Sequence, residues 1–321
     1  MKKNIIGVDI GGTKIAAGIV SDRGKVISSM VLPTRAKEGF KVSLGQVFGS
    51  ISGLLAESGL SMKEIDAIGI CAPGPLDPIK GIVHNPPNLM GWKNVPLVEL
   101  IEKKFKKSVK LENDANAAGM AEVIWGAAKG YKHVFYVTVS TGIGTAVIID
   151  GKIYHGKNGM AGECGHATIN YDDKKAKCNC GNIGCIETLA SGPVRLKQFS
   201  DLLKKKPGLK KQFMKDVGKN LERVLMTDIA KAARKGNKLA LKTIREHGEL
   251  LGVWLGSMIS ILDPEIIVIG GGISLAGEVL FREIRRSIPS HTINLNALKT
   301  PVVQAKLKKD VGMFGAAAIV L

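Results

Sequence analysis

The hydrophobic pattern along the chain changes period several times, and each change marks an element. NIIGVDI (4–10), KIAAGIVS (14–21) and VISSMVL (26–32) are short and rich in β-branched residues, so they read as three strands. GGTK joins the first pair as a tight turn, and DRGK (22–25) joins the second as a hairpin turn. An amphipathic helical pattern follows at about 38–58. IDAIGICA (65–72) is a continuous apolar run ended by PGP, which reads as a buried strand. After the loop HNPPNLMGW (84–92), PLVELIEKKF (96–105) suits a helix with Pro96 at its start. VKLEND (109–114) is a short strand that runs into a helix, ANAAGMAEVIWGAA.

The arrangement then returns. HVFYVTVS (133–140) reads as a strand, TGIG as a glycine turn and TAVIID (145–150) as a returning strand, with Asp150-Gly151 as a hairpin signal. A strand–glycine turn–strand unit thus occurs at DIGGTK and again at STGIGT, about 130 residues on, and predicts two related halves. Residues 195–262 are mostly helical in pattern. EIIVIGG (265–271) is a strand entering GGIS and a helix at about 274–287, and DVGMFGAAAIVL (310–321) is a final apolar helix.

Length and charge narrow the picture. At 321 residues the chain favours two lobes, since single cores stop growing near ~250–300 residues. No apolar run free of charge reaches 18 residues, so no transmembrane helix or membrane partner is expected. The first apolar run is interrupted by Asp9 and a glycine pair and makes a poor signal peptide. A cytoplasmic location with reduced thiols is therefore expected. The net charge of +18 raises the question of nucleic acid. Only nine of the 46 basic residues are Arg and aromatics are 5%, too few for base reading or stacking, so no nucleic-acid partner is expected. The basic runs at 102–110 and 204–215 read as solvated faces whose field would favour a phosphate-bearing cosubstrate.

Five motifs carry candidate chemistry. In DIGGTK, Gly11 and Gly12 let backbone N–H groups approach a phosphate, Thr13 and Lys14 add a donor and a counter-charge, and Asp9 could hold Mg²⁺ through water. STGIG (Ser140–Gly144) is the partner turn, and IGGGIS (Ile269–Ser274) places glycines between a strand and a helix N-terminus. Each of these turns also has a plain reading as a tight connection. No P-loop and no G-x-G-x-x-G after a strand is present, which disfavours a P-loop NTPase or a Rossmann dehydrogenase. In LENDANAAG, Asp114 stands where strand meets helix, as an N-cap or as a general base for a substrate hydroxyl. In GECGHATINYDDKKAKCNCGNIGCIE, Cys178, Cys180 and Cys185 can give one tetrahedral ion three thiolates, with His166 as the fourth ligand of a closed zinc site. A disulfide is disfavoured in a reducing compartment, no C-x-x-C pair is present, and a set of buried thiols is the plain alternative. Gly181 and Gly184 favour a metal knuckle, whereas Cys71 and Cys164 lie beside apolar residues and read as small core hydrophobes.

Taken in this order, the five motifs resemble the ROK family of sugar kinases and repressors, from Gly7 to about residue 318. The most specific part is GECGH followed by CNCGNIGCIE. The resemblance implies an α/β, two-lobed actin-like ATPase (ribonuclease H-like) fold with duplicated strand–Gly turn–strand units. The small lobe would be 1–114, with the C-terminal helix at about 308–321 packing back on it, and the large lobe 115–307 would carry the zinc knuckle. It further implies phosphate loops at Asp9, Gly11, Gly12, Thr13, Lys14, Thr141 and Gly142, and an adenosine-side loop at Gly271 and Gly272. Asp114 would be the catalytic base, and Asn88, Asn113, Asp114, Glu163, His166 and Glu187 would hold the sugar hydroxyls. ATP, Mg and structural Zn are the implied cofactors, and a dimer or tetramer the implied assembly. The zinc would take one ring nitrogen of His166, leave the other facing the sugar, and fix the turn that delivers Glu187.

Within the family, CAPGPLD with NPPNLMGWKNVPL, and GHATIN with ETLASG, look most like the glucokinase branch, implying ATP-dependent phosphorylation of glucose at the 6-hydroxyl. Fructose, mannose, N-acetylglucosamine and N-acetylmannosamine are alternative acceptors, and polyphosphate an alternative donor. A sugar-sensing repressor is disfavoured because repressor members carry an N-terminal helix-turn-helix and this chain starts at the first strand. Cys164 and the lysine-rich DDKKAK depart from the family pattern without touching a motif residue.

Overall fold

The computed structural model describes residues 3–321, so Met1 and Lys2, the start of the expected small lobe, lie outside the described residues. The first sheet begins with β1 (Asn4–Ile10), β2 (Lys14–Ser21) and β3 (Val26–Pro33), an antiparallel meander. Helix α1 (Phe40–Ser58) leads to β4 (Ala67–Ala72). A small hairpin of β5 (Leu76–Asp77) and β6 (Ile82–Val83) and helix α2 (Leu97–Phe105) precede β7 (Val109–Asn113) and α3 (Asp114–Ile124). The second sheet is opened by β8 (Val134–Val139), β9 (Ile143–Ile149) and β10 (Lys152–Ile153). The helices α4 (Ile186–Ala190), α5 (Gly192–Lys205), α6 (Pro207–Val217), α7 (Met226–Arg234) and α8 (Lys238–Leu262) follow. Then come β11 (Ile266–Gly270), α9 (Glu278–Ser287), β12 (Val302–Gln304) and α10 (Val311–Ala318).

The sheet orders are β3-β2-β1-β4-β7 and β10-β9-β8-β11-β12. Numbered within each half, both read third, second, first, fourth, fifth, which is the duplication anticipated from the two glycine turns. The central strands are apolar at nearly every position because both faces are covered. In the first sheet one face packs on α1 and α2, where Ile6, Val8, Ile51, Ile68, Trp92 and Ile101 are buried together. The other face receives α10. Gly7 and Gly69 let it approach, since a Cβ at either position would overlap the helix backbone at Met313 or Ala316.

Two compact units result. One comprises Met1–Lys132, Ala146–Gly162 and Lys306–Leu321, and the other His133–Thr145 and Glu163–Ala305. This differs from the expected break after residue 114. Helix α3 stays with the first unit because it packs on α10. In the same unit Glu122 accepts backbone N–H groups from Ala127, Lys306 and Leu307 at 2.7, 3.1 and 2.9 Å. Segment 146–162 joins the same unit, where His155 meets Glu112 at 2.6 Å. The helix expected to run through residue 128 stops at Ile124, where the Trp125 indole N–H turns to the Asp22 carbonyl at 3.1 Å. The helix expected from about 274 begins only at Glu278, after a 3₁₀ turn at Gly272–Ala276 and Gly277 at φ 70°.

Candidate active site

The predicted residues fall into two sets, one in each unit. In the first unit, β1 delivers Asp9 to the sheet end and the turn Gly11–Lys14 closes with Gly11 N–H donating to the Lys14 carbonyl at 2.9 Å. The buried Thr34 hydroxyl donates to the Gly11 carbonyl at 2.6 Å and stiffens the turn. Thr13 and Lys14 are exposed at its tip. Asn88 packs on the same turn, since a Cβ on Gly12 would lie 2.8 Å from the Asn88 Cβ. Parallel pairing of β1 with β4 sets Asp9 beside Cys71, and the Cys71 thiol donates to Asp9 Oδ1 at 3.4 Å. Burial pushes the Asp9 carboxyl up, with the thiol and the Lys14 charge opposing. Cys71 is fully buried, as a core residue would be, but its hydrogen bond ties it to the acidic end of the sheet. Burial, then Asp9, Asp114 and Glu112, push its thiol well above the usual range, so these carboxylates share one neighbourhood.

Asp114 opens α3 directly after β7. Asn113, not Asp114, is the N-cap, with its Oδ1 accepting from Ala115 and Asn116 N–H at 2.9 and 3.3 Å. Asp114 Oδ1 accepts the Ala115 N–H at 2.8 Å, and the residue is exposed. The helix start is thus capped by a neighbour, which leaves a carboxylate of fixed direction at an accessible point.

In the second unit, the turn after β8 is held by Ser140 N–H donating to the Gly142 carbonyl at 2.9 Å, and by Gly192 N–H donating to the Ser140 carbonyl at 2.8 Å. Thr141 is exposed at the tip. Glu187, in the first turn of α4, accepts the Ile143 N–H through Oε2 at 2.9 Å. Gly142 is what lets it reach: a Cβ there would overlap Glu187 Oε2. The GECGH segment forms a 3₁₀ turn at Cys164–His166, pinned by Cys164 N–H donating to Thr145 Oγ1 at 3.1 Å. Cys164 is half-buried and not a full core residue, because this turn lies near the surface. Glu163 Oε2 lies 4.0 Å from His166 Nε2. Gly271, at φ 78°, turns the chain after β11 where a Cβ would overlap the Val139 backbone, and Gly272 faces Thr227 of α7.

The ligand atoms of His166, Cys178, Cys180 and Cys185 all lie within 4.8 Å of one another. Cys178 Sγ is 3.5 Å from His166 Nδ1, and the Sγ atoms of Cys180 and Cys185 are 3.7 Å apart. A tetrahedral zinc with roughly 2.3 Å bonds to sulfur and 2.0–2.1 Å to nitrogen sets these edges at about 3.6 and 3.8 Å. The donor set therefore fits such an ion. Burial, then the neighbouring thiols, push Cys185 up to about 12, so a cation is what would stabilise three thiolates together. Gly181 and Gly184, at φ 95° and 75°, make the tight turns of the knuckle.

Sequence reasoning passed over Thr34, Glu112, His155 and Gly312. A Cβ on Gly312 would overlap Asp9 Oδ2, so this glycine admits the carboxylate under α10. The only sequence signal for Glu112 was a carboxylate set among apolar strand positions.

A family model described as the ROK family matches residues 5–321. A glucokinase of Thermotoga maritima is 34% identical over 322 residues, covering 99% of this chain and 98% of the relative. A xylose repressor of Caldicellulosiruptor bescii is 30% identical, covering 99% of this chain and 78% of the repressor. Among solved structures, a ROK family glucokinase from Streptomyces griseus, determined in complex with glucose and AMPPNP, superposes with a TM-score of 0.82 at 31% identity, covering 98% of each chain.

Proposed function

The chain belongs to the ROK family, and from that premise we propose that it is an ATP:hexose 6-phosphotransferase whose preferred acceptor is glucose. The observation that carries the reading is Asp114, exposed on the first turn of α3 beside a separate capping residue, with its Oδ1 held by the Ala115 N–H. Glucokinases at this identity over nearly the full length support the acceptor. Asp114 takes the proton of the attacking hydroxyl, a contribution of roughly 10²–10⁴ in rate. Asn88, Asn113, Glu163, His166 and Glu187 read the sugar's ring of hydroxyls, since carboxylates and amides at fixed points reject analogues that lack one. The Gly11–Lys14 turn, the Thr141–Gly142 turn and Gly271–Gly272 are assigned to ATP. Asp9 would hold Mg²⁺ through water, and the ion would supply charge neutralisation at the phosphates. His166, Cys178, Cys180 and Cys185 would hold a structural zinc, which would restrain the His166 ring and the turn before Glu187.

The test is a coupled ATP assay across glucose, mannose, fructose and the N-acetyl hexosamines, repeated with polyphosphate as donor. Glucose with ATP is expected to give the highest kcat/KM. Asp114→Asn is expected to keep sugar binding and lose turnover, and near wild-type turnover in that variant would reject the base assignment. A repressor function is the second reading, favoured by the match to a xylose repressor. Retardation of DNA at physiological salt in the presence of competitor DNA would favour it.

A further inference from the structure

Glu112 is 4% exposed, directly before the capped junction in the first unit. Its Oε1 accepts the backbone N–H of Asn113 at 2.9 Å and Asn116 Nδ2 at 3.0 Å. Its Oε2 meets His155 Nε2 at 2.6 Å. His155 sits in the loop after β10, and its own carbonyl accepts the Ala161 N–H at 3.1 Å. The fold alone does not call for this arrangement. Strand β7 makes its ladder through backbone atoms and α3 is capped by Asn113, so an apolar side chain at 112 would serve the core. A carboxyl group buried here costs free energy unless it is fully hydrogen-bonded, and this one is bonded on both oxygens.

We propose that the Glu112–His155 pair is a positioning device that sets the direction in which Asp114 leaves the β7–α3 junction. The proposal rests on the reading of Asp114 as the base. Oε1 bridges the last residue of the strand to the first turn of the helix, so the backbone N–H of Asn113 before Asp114 and the side-chain amide of Asn116 after it are tied to one carboxylate. His155 pins the other oxygen and stops that carboxylate from rotating away. In its protonated form the imidazole also supplies a counter-charge where Asp9, Asp114 and Glu112 gather around Cys71. The hydrogen bond to Glu112 holds the imidazole above its usual range, against its partial burial. Pairing Glu112 in this way lowers the negative field at Asp114.

The experiment compares wild type, His155→Ala and His155→Gln, the last keeping an N–H donor. Each is assayed for kcat and KM on the best hexose, and each is followed by hydrogen exchange of the peptide spanning 111–118. His155→Ala is expected to lower kcat on the order of ten- to a hundredfold, the cost of an aim lost by about an ångström, with the sugar KM within about threefold of wild type. Exchange across 111–118 is expected to quicken about tenfold in the same variant. His155→Gln is expected to recover kcat to within about threefold and to restore the exchange. Unchanged kcat in His155→Ala, a rise in KM alone, or no recovery in His155→Gln would overturn the proposal. If wild type phosphorylates no hexose, the kinase reading fails on its own. Exchange then decides the positioning: unchanged rates in His155→Ala overturn it, and faster rates reversed in His155→Gln uphold it.

Discussion

Gly142→Ala separates what the fold needs from what the site needs. The glycine is not among those held at positive φ, so the backbone accepts alanine. The new Cβ would overlap Glu187 Oε2 and lie 3.3 Å from its Cδ. Relieving that overlap moves the carboxylate by about 1 Å, given ordinary van der Waals separations. The obstacle is the end of a flexible side chain, so the fold survives. What is lost is the 2.9 Å hydrogen bond from the Ile143 N–H to the carboxylate. Such a charge-assisted bond is worth about 1.5–3 kcal/mol, and Tm is expected to fall by several degrees. If Glu187 reads the sugar as proposed, a displacement of about 1 Å costs on the order of 10²-fold in kcat/KM, about 2.7 kcal/mol in the transition state. Initial rates in a coupled ADP assay, with sugar and ATP varied in turn, measure that loss beside a melting curve. The double variant with Glu187→Gln tests the route: if alanine acts through Glu187, the two losses are not additive. A kcat/KM for sugar within about threefold of wild type, or full additivity with Glu187→Gln, would refute the reasoning.

Two further outcomes follow from the second unit. Fresh, reduced protein is expected to carry about one zinc per chain, and Cys185→Ser to lose both the metal and sugar affinity, because Glu187 lies two residues beyond; metal-free protein with full activity would remove the assignment. His247 of α8 is fully buried, with Nε2 bonded to the Ala190 carbonyl at 2.7 Å, and burial, then the Arg195 charge, depress it from 6.5 to about 3 against that bond. Between those values only the unfolded chain takes up the proton. The contribution of this group to stability is therefore complete above pH 6.5 and falls by about 1.4 kcal/mol per pH unit below it until near pH 3. His247→Gln is expected to flatten this slope between pH 6.5 and 5 in denaturant titrations, and an unchanged slope would count against it.

What was legible in the sequence was local. The longer strands of both sheets announced themselves as apolar, β-branched runs, and their ends fall within about two residues of expectation. The Cys/His cluster was legible because three of its four residues fall within eight positions, where spacing alone restricts the geometry. β5, β6, β10 and β12 were not foreseen, because strands of two or three residues have no period to read. The membership of segment 146–162 in the first unit was hidden for a different reason. It involves His155 meeting Glu112, a pair 43 residues apart with nothing in either neighbourhood to link them. Cys71 shows the limit most clearly. Its apolar neighbours predicted a core residue, and it is buried as predicted, but the parallel register that brings it to Asp9 is set by pairing across 62 residues.

The same local device recurs at three carboxylates, and its details separate their roles. Gly126, Gly142 and Gly312 each stand where a Cβ would overlap an oxygen, of Glu122, Glu187 and Asp9 respectively. A glycine in such a place lets a carboxylate lie flat against the main chain and take its N–H groups. Glu122 uses both oxygens in this way, Oε2 on Ala127 and Lys306 and Oε1 on Leu307, and so becomes a latch between α3 and the chain entering α10. Glu187 is held differently. Its Oε2 takes the Ile143 N–H, while Oε1 lies 3.9 Å from the Cys178 thiol. Asp9 has its Oδ1 on the Cys71 thiol at 3.4 Å, and its Oδ2 faces Gly312. A carboxylate tied at both oxygens to peptide N–H groups is already satisfied and has little to offer a ligand. One tied firmly at a single oxygen is fixed in direction and keeps acceptor capacity at the other. On that criterion Glu122 is structural, whereas Glu187 and Asp9 each keep acceptor capacity at one oxygen, which the proposed roles of holding a hydroxyl and a hydrated cation require.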